Sequence, residues 1–185
     1  MIDIYNSDSD EIVMHFSRQT AKSTTLANIC VTRAATTPYF KILYISPSRD
    51  QTQVFSRDRV SPVIESSPFI KDFYTSPILV QNVFTKQFLN GSMVYMRYAG
   101  HDADRIRGLS ADMNLFDEVQ DLKADVIPVI QETVSRSLFK KHMYVGTPKT
   151  SRSTLAKYWR DSSENEYIVK CNHCNHWNIL GEDNI

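Results

Sequence analysis

No stretch of this chain stays apolar for the 18 or more residues that a membrane-spanning helix requires, so no membrane span is expected. Cysteine is scarce. Three in 185 residues, two of them in one short motif, argue against a disulfide framework and fit a reducing compartment. Neither sign of charge is in excess: Lys plus Arg number 21 and Asp plus Glu number 21, a formal net charge of zero. Proteins that grip nucleic acid through its phosphates alone are usually basic. Any such contact here must be local, transient, or supplied by a further region or partner. A secretory leader is not expected either, because Asp3, Asp8, Asp10 and Glu11 stand where a basic start and an apolar segment should be. What is present suffices for a core: 42% of residues are hydrophobic, in a length that holds one ordinary domain and part of a second.

The stretch that organises the chain is His15-Phe16-Ser17-Arg18-Gln19-Thr20-Ala21-Lys22-Ser23-Thr24. A strand-like apolar segment, Ile12 to Phe16, leads into it. A helix-like segment, Thr25 to Arg33, leaves it with Leu26, Ile29 and Cys30 on one face. Strand, short loop, Lys-Ser/Thr and helix is the layout of a nucleotide phosphate loop. Backbone N–H groups at such a helix start point at phosphate, and the helix dipole favours negative charge there. Lys22 would reach the β- and γ-phosphates of ATP, and the Ser23 hydroxyl would ligate Mg²⁺. The pattern G-x-x-x-x-G-K-S/T is incomplete, since Phe16 and Ala21 occupy its two glycine positions. Taken alone, Lys-Ser-Thr also fits a bland, solvated helix end.

A second stretch changes the balance. Met113-Asn114-Leu115-Phe116-Asp117-Glu118 is a mostly apolar strand that ends in two carboxylates, the form of a Walker B element. Asp117 would hold Mg²⁺, usually through water, because Mg²⁺ prefers oxygen ligands and keeps several waters. Glu118 would orient and deprotonate the attacking water. A strand ending in an acidic turn is common, but two halves of one site in the right order, about 95 residues apart, are not.

With both halves in view, Ser17-Arg18-Gln19-x-Ala21-Lys22-Ser23 resembles the variant Walker A loop of bacteriophage terminase large subunits, often written S-R-Q-x-G-K-S/T. Arg107-Gly108, ten residues before Asp117, resembles that family's approach to Walker B. Gly146-Thr147-Pro148, after an apolar run from Met143 to Val145, looks like its coupling motif. Ala21 departs from the usual glycine, which bears on how closely backbone approaches phosphate. The resemblance implies an α/β P-loop NTPase fold of the RecA/ASCE kind, a mostly parallel sheet flanked by helices. It also implies an ATP hydrolase that drives double-stranded DNA into a procapsid. Loop residues Ser17 to Thr24 would bind ATP and Mg²⁺, Thr147 would sense the γ-phosphate, and Arg18 or Arg107 would stabilise charge on the transferred group. Arg18 would act in its own subunit and Arg107 on a neighbour; pairing with local acids such as Asp102 or Asp104 is the alternative for both. Implied partners are a homo-oligomeric ring, a portal protein and a small terminase subunit, in the host-cell cytoplasm. The family's nuclease domain is not expected within this length.

The remaining segments fit that frame. Phe40 to Ser46 is nearly continuous in apolar residues, as in a strand buried on both faces. Ser48 caps a helix bearing Gln51, Val54, Phe55 and Val60, or else Ser48, Arg49 and Gln51 contact DNA backbone. Val83 to Leu89 and Ser92 to Tyr98 alternate about Asn90-Gly91, which predicts an antiparallel edge hairpin with a type I′ turn. Gly100 to Gly108 reads as a polar loop with Arg105 and Arg107. Asp125 is placed to cap a helix from Val126 to about Arg136 that buries Ile127, Ile130 and Val134. Gln120 and Asp121 fall near the γ-phosphate position, as coupling residues or as solvated loop. Ser151 or Ser153 starts a short helix with Leu155, Tyr158 and Trp159.

Cys171-Asn172-His173-Cys174 is half of a zinc knuckle, with His173 or His176 as a third ligand and the rest beyond Ile185; the other reading is a pair that binds no metal. The expected division is an ATPase domain over 1–165 and the start of a following subdomain over 166–185. Two other functions remain open from sequence. One is a helicase-like translocase, to which Asp117-Glu118-Val119-Gln120 is superficially similar. The other is a degenerate, non-hydrolysing nucleotide-binding module.

Overall fold

The computed structural model describes residues 2–99 and 106–179. Arg105 and the polar run 100–105 lie outside them. A short helix α1 (Ile2–Tyr5) precedes strand β1 (Glu11–His15) and the long helix α2 (Lys22–Thr36). Strand β2 (Lys41–Ser46) leads to α3 (Arg49–Phe55), one π turn (Ser56–Val60), α4 (Ser61–Ser66) and α5 (Pro68–Tyr74). Next come β3 (Gln81–Asn82), β4 (Thr85–Gln87), β5 (Met93–Tyr98) and β6 (Met113–Phe116). The chain continues through α6 (Val126–Gln131), β7 (Lys141–Gly146), α7 (Thr154–Arg160), β8 (Ile168–Lys170) and β9 (Trp177–Ile179).

Among the described residues, seven strands form one sheet in the order β1-β7-β6-β2-β5-β4-β3. Neighbours from β1 to β5 are parallel, and β4 and β3 add an antiparallel edge. The central strands carry apolar residues on both faces because helices cover both faces. On one side α2, the π turn and α4 bury Leu26, Ile29, Cys30 and Val60 against Met14, Ile42, Tyr44 and Leu115. On the other, α6 and α7 bury Ile127, Ile130 and Leu155 against Leu43, Phe116 and Tyr144. Cys30 is fully enclosed, and desolvation pushes its thiol up to about 12, which leaves it inert. No helix among the described residues is long and apolar enough to cross a membrane.

Three local expectations change. Within Asn90-Gly91, only Gly91 has positive φ (+83°). Its N–H reaches the Phe88 carbonyl at 3.0 Å, and the Phe88 N–H reaches Ser92 at 3.0 Å. This is a three-residue hairpin loop rather than a two-residue type I′ turn. The cause is tertiary: the Asn90 amide donates to the Ala34 and Ala35 carbonyls, at 2.8 and 2.9 Å, near the end of α2. Asp125 has helical backbone and makes no side-chain cap. The helix it precedes ends at Gln131 and continues as a single 3-10 turn, Glu132–Val134. Val54 is exposed, because the buried face of α3 carries Thr52 and Phe55. Ser48 and Ser153 do cap their helices, accepting from the N–H groups of Gln51 and Ala156.

Candidate functional site

The strands β1, β7, β6, β2 and β5 all point the same way, so the loops after β1, β6 and β7 emerge at one edge of the sheet. Strand β7 lies between β1 and β6. Its exit, Gly146-Thr147, therefore falls between the loop before α2 and the acids after β6.

The loop before α2 has two residues with left-handed backbone, Gln19 and Ala21, both at φ 61°. Glycine adopts that conformation freely; a Cβ there costs roughly 1–2 kcal/mol. Thr20 donates its hydroxyl to the Ser17 carbonyl at 2.8 Å and ties the loop across its base. Helix α2 starts at Lys22 with no side-chain cap and no acid in its first turn. The leading N–H groups of this 15-residue helix are thereby left to whatever occupies the loop.

Lys22 is buried and reaches out of that helix start to the other two loops. Its Nζ donates to Glu118 Oε1 at 3.3 Å and to the Thr147 hydroxyl. Gln120 closes a ring around the same carboxylate. Its amide nitrogen donates to Glu118 Oε2, and its amide oxygen accepts the Thr147 N–H at 3.2 Å. Glu118 itself sits at φ 52°, where the chain turns sharply off β6. At Gly146 a Cβ would collide with the Gln120 amide oxygen, so the close approach needs glycine there. Outside the ring, Lys149 pairs with Asp121 at 2.6 Å.

Asp117 lies beneath these groups, 6% exposed. Tyr44 donates its hydroxyl to Oδ2 at 2.8 Å, and the Glu118 N–H donates to Oδ1 at 3.1 Å. Burial pushes the carboxyl up to about 6, against the opposing hydrogen bond from Tyr44. The Ser23 hydroxyl and the Asp117 carboxylate are hard oxygen donors, and a buried carboxylate is held ionised by a divalent cation. The residues present fit Mg²⁺.

A cleft of about 530 Å³ opens over this constellation. Residues 18–24 of the loop line it, with Glu118, Gln120, Asp121, Thr147, Pro148 and Lys149. Gln51 and Arg59, from α3 and the π turn, form a further wall. Sequence gives no sign of Arg59 as a site residue, because an ordinary helix would not indicate that it faces the loop. Ser17 acts through its carbonyl at the loop base. Arg107 stands on the turn Ile106–Gly108, outside the cleft wall.

Cys171 and Cys174 lie apart from the cleft, in the turn of the two-stranded β8–β9 sheet. The His173 N–H donates to Cys171 Sγ at 3.4 Å, and backbone N–H groups of Cys174 and His173 hold that thiol below its ordinary value. Neither His173 nor His176 completes a ligand set: among the described residues no three His, Cys, Asp or Glu side chains are grouped to hold a metal ion.

A mostly parallel sheet with one strand inserted between the phosphate-loop strand and the acidic strand, and a lysine from the loop's helix meeting the ends of the inserted and acidic strands, defines a P-loop NTPase fold. Within that class, residues 1–185 match phage terminase large subunit gpA, ATPase domain, and the chain belongs to this family. Solved structures with the same fold include the HK97 bacteriophage large terminase, at 12% identity and TM-score 0.69 over 84% of this chain and 33% of that one. The Thermus phage P74-26 large terminase ATPase domain is similar at 18% identity and TM-score 0.63, over 85% of this chain and 67% of that one. The large terminase of a thermophilic bacteriophage, in complex with ADP, is similar at 15% identity and TM-score 0.65, over 88% of this chain and 42% of that one. This chain thus spans about a third of the HK97 protein's length. No curated protein matches it in sequence.

Proposed function

We propose that this domain binds ATP with Mg²⁺ in the loop 17–24 and hydrolyses it to drive double-stranded DNA into a viral procapsid. The observation that carries the reading is the meeting of Lys22, at the start of α2, with Glu118 and Thr147 from the loops after β6 and β7. Complexes of the thermophilic phage terminase with ADP and with ATP-gamma-S support nucleotide binding by this domain.

Lys22 and the N–H groups of residues 18–24 hold the phosphates. Ser23 and Asp117 hold Mg²⁺, which when bound neutralises charge on the phosphate oxygens. In the structure, Glu118 has one oxygen on Lys22 and the other on Gln120. Phosphate draws Lys22 away and frees Oε1 to take a proton from the attacking water, whose oxygen forms the new bond to the γ-phosphorus as the bond to ADP breaks. Thr147 exchanges its contact with Lys22 for one near that water and so reports whether the γ-phosphate is present. Arg18 contacts phosphate within the subunit, and Arg107 reaches the site of a neighbour in a homo-oligomeric ring. Portal protein and small terminase subunit complete the motor, in the host-cell cytoplasm. Residues 1–165 form the ATPase unit, and the β8–β9 hairpin begins a following subdomain in which Cys171 and Cys174 supply two of four zinc positions.

The test is Glu118→Gln in a phosphate-release assay with the assembled motor. ATP binding kept with turnover reduced by about 10²-fold or more is expected of a lost general base. Wild-type turnover in the variant contradicts the assignment. Dependence of hydrolysis on the portal, rather than on DNA alone, separates packaging from strand unwinding.

A further inference from the structure

Tyr44 belongs to β2, and its side chain is completely buried. In the strand register it lies beside Leu115 of β6. Side chains alternate along a strand, so Asp117, two residues on from Leu115, falls on the same face, the one that packs under α2. The phenol extends along that face until its hydroxyl meets Asp117 Oδ2 at 2.8 Å. Phe55, at the end of α3, stacks on the ring with centroids 3.7 Å apart and planes 2° from parallel, which holds the plane of the phenol. The other carboxylate oxygen is held by the Glu118 N–H at 3.1 Å.

Each carboxylate oxygen has two acceptor directions. Here one direction on each oxygen is taken, and the plane of the carboxylate is fixed. We propose that Tyr44 is a positioning residue, whose hydroxyl sets the Asp117 carboxylate so that its remaining lone pairs face a divalent cation bound with the nucleotide. This rests on the nucleotide-site reading above. A carboxylate already oriented loses less freedom when it takes up a cation, and partners that hold a ligand in this way tune metal affinity by about 10–100-fold. The stack on Phe55 extends the arrangement to the π turn, which carries Arg59 to the cleft wall.

A purely structural role, in which Tyr44 only satisfies a buried carboxylate, gives the same contacts but not the same response to metal. The test is Mn²⁺ affinity in the presence of ADP, by electron paramagnetic resonance, on wild type, Tyr44→Phe, Asp117→Asn and the double variant. Thermal unfolding in EDTA runs beside it. Tyr44→Phe keeps the ring and the stack and is expected to weaken Mn²⁺ binding about tenfold. Asp117→Asn weakens it further, and adding Tyr44→Phe to Asp117→Asn brings no additional loss. Wild-type Mn²⁺ affinity in Tyr44→Phe, with or without a lower melting temperature, overturns the proposal, as does full additivity of the two variants. If Tyr44→Phe does not fold, Phe55→Leu replaces it, keeping the hydroxyl and loosening the ring. Weakened Mn²⁺ binding then supports the proposal and unchanged binding overturns it. A wild-type chain that binds no Mn²⁺–ADP removes the nucleotide-site reading itself, a result distinct from failure of Tyr44 alone.

Discussion

Asp117 carries a carboxyl well above its ordinary range. Desolvation lifts its carboxyl from 3.8 to about 6 in the fold. The folded chain therefore binds this proton more tightly than the unfolded chain. The cost of ionising Asp117 is absent below pH ~4, grows as pH rises, and is fully present above pH ~6. In EDTA, Asp117→Asn should be more stable than wild type at pH 7.5, by on the order of 3 kcal/mol, and should match it near pH 4. Urea unfolding at the two pH values checks this; a variant equally stable or less stable at pH 7.5 contradicts it. At the same scale, some of the site is legible in sequence and some is not. Lys22, Glu118 and Thr147 stand out from their motifs, and the structure brings them together. Tyr44 reads only as one more position in a buried, mostly apolar strand, because its link to Asp117 depends on β2 lying beside β6. Sequence does not display that neighbour relation.

At the scale of elements, the decisive feature is the exit of β7. Gly146 lets the Gln120 side chain sit against the backbone, where it bridges Glu118 and Thr147. Gly146→Ala should displace chiefly the far end of a flexible glutamine, so the protein should fold with a melting temperature close to wild type. Turnover should fall, because Glu118 loses the amide that orients it. Steady-state hydrolysis and calorimetric unfolding, measured together, check the pair of outcomes; unchanged turnover removes Gln120 from the working site. Gly146 is legible as a loop exit but its reason is not, since that lies in a side chain more than twenty residues away. The edge hairpin shows the same limit. Its strands are plain from alternation, while its loop length is decided by Asn90 binding the end of α2.

At the scale of the molecule, the fold is readable because its strands are apolar on both faces, its loops are polar, and the two halves of the site come in order. The strand order is less so: nothing local says that β7 enters between β1 and β6. Arg107 belongs to this scale. It stands outside the cleft of its own chain, as a residue that serves a neighbouring copy would. Turnover per chain should then rise with protein concentration, and Arg107→Ala should abolish the rise while leaving ATP affinity intact. A rise that persists in the variant would assign the task to another residue.

The proposed function requires residues 17–24 to form a working phosphate loop although Phe16 and Ala21 occupy its two glycine positions. The direct measurement is calorimetric titration of Mg²⁺–ATP into this chain and into Lys22→Ala. Binding by wild type and its loss in the variant is the predicted result. Equal binding by both chains, or binding by neither, would contradict it.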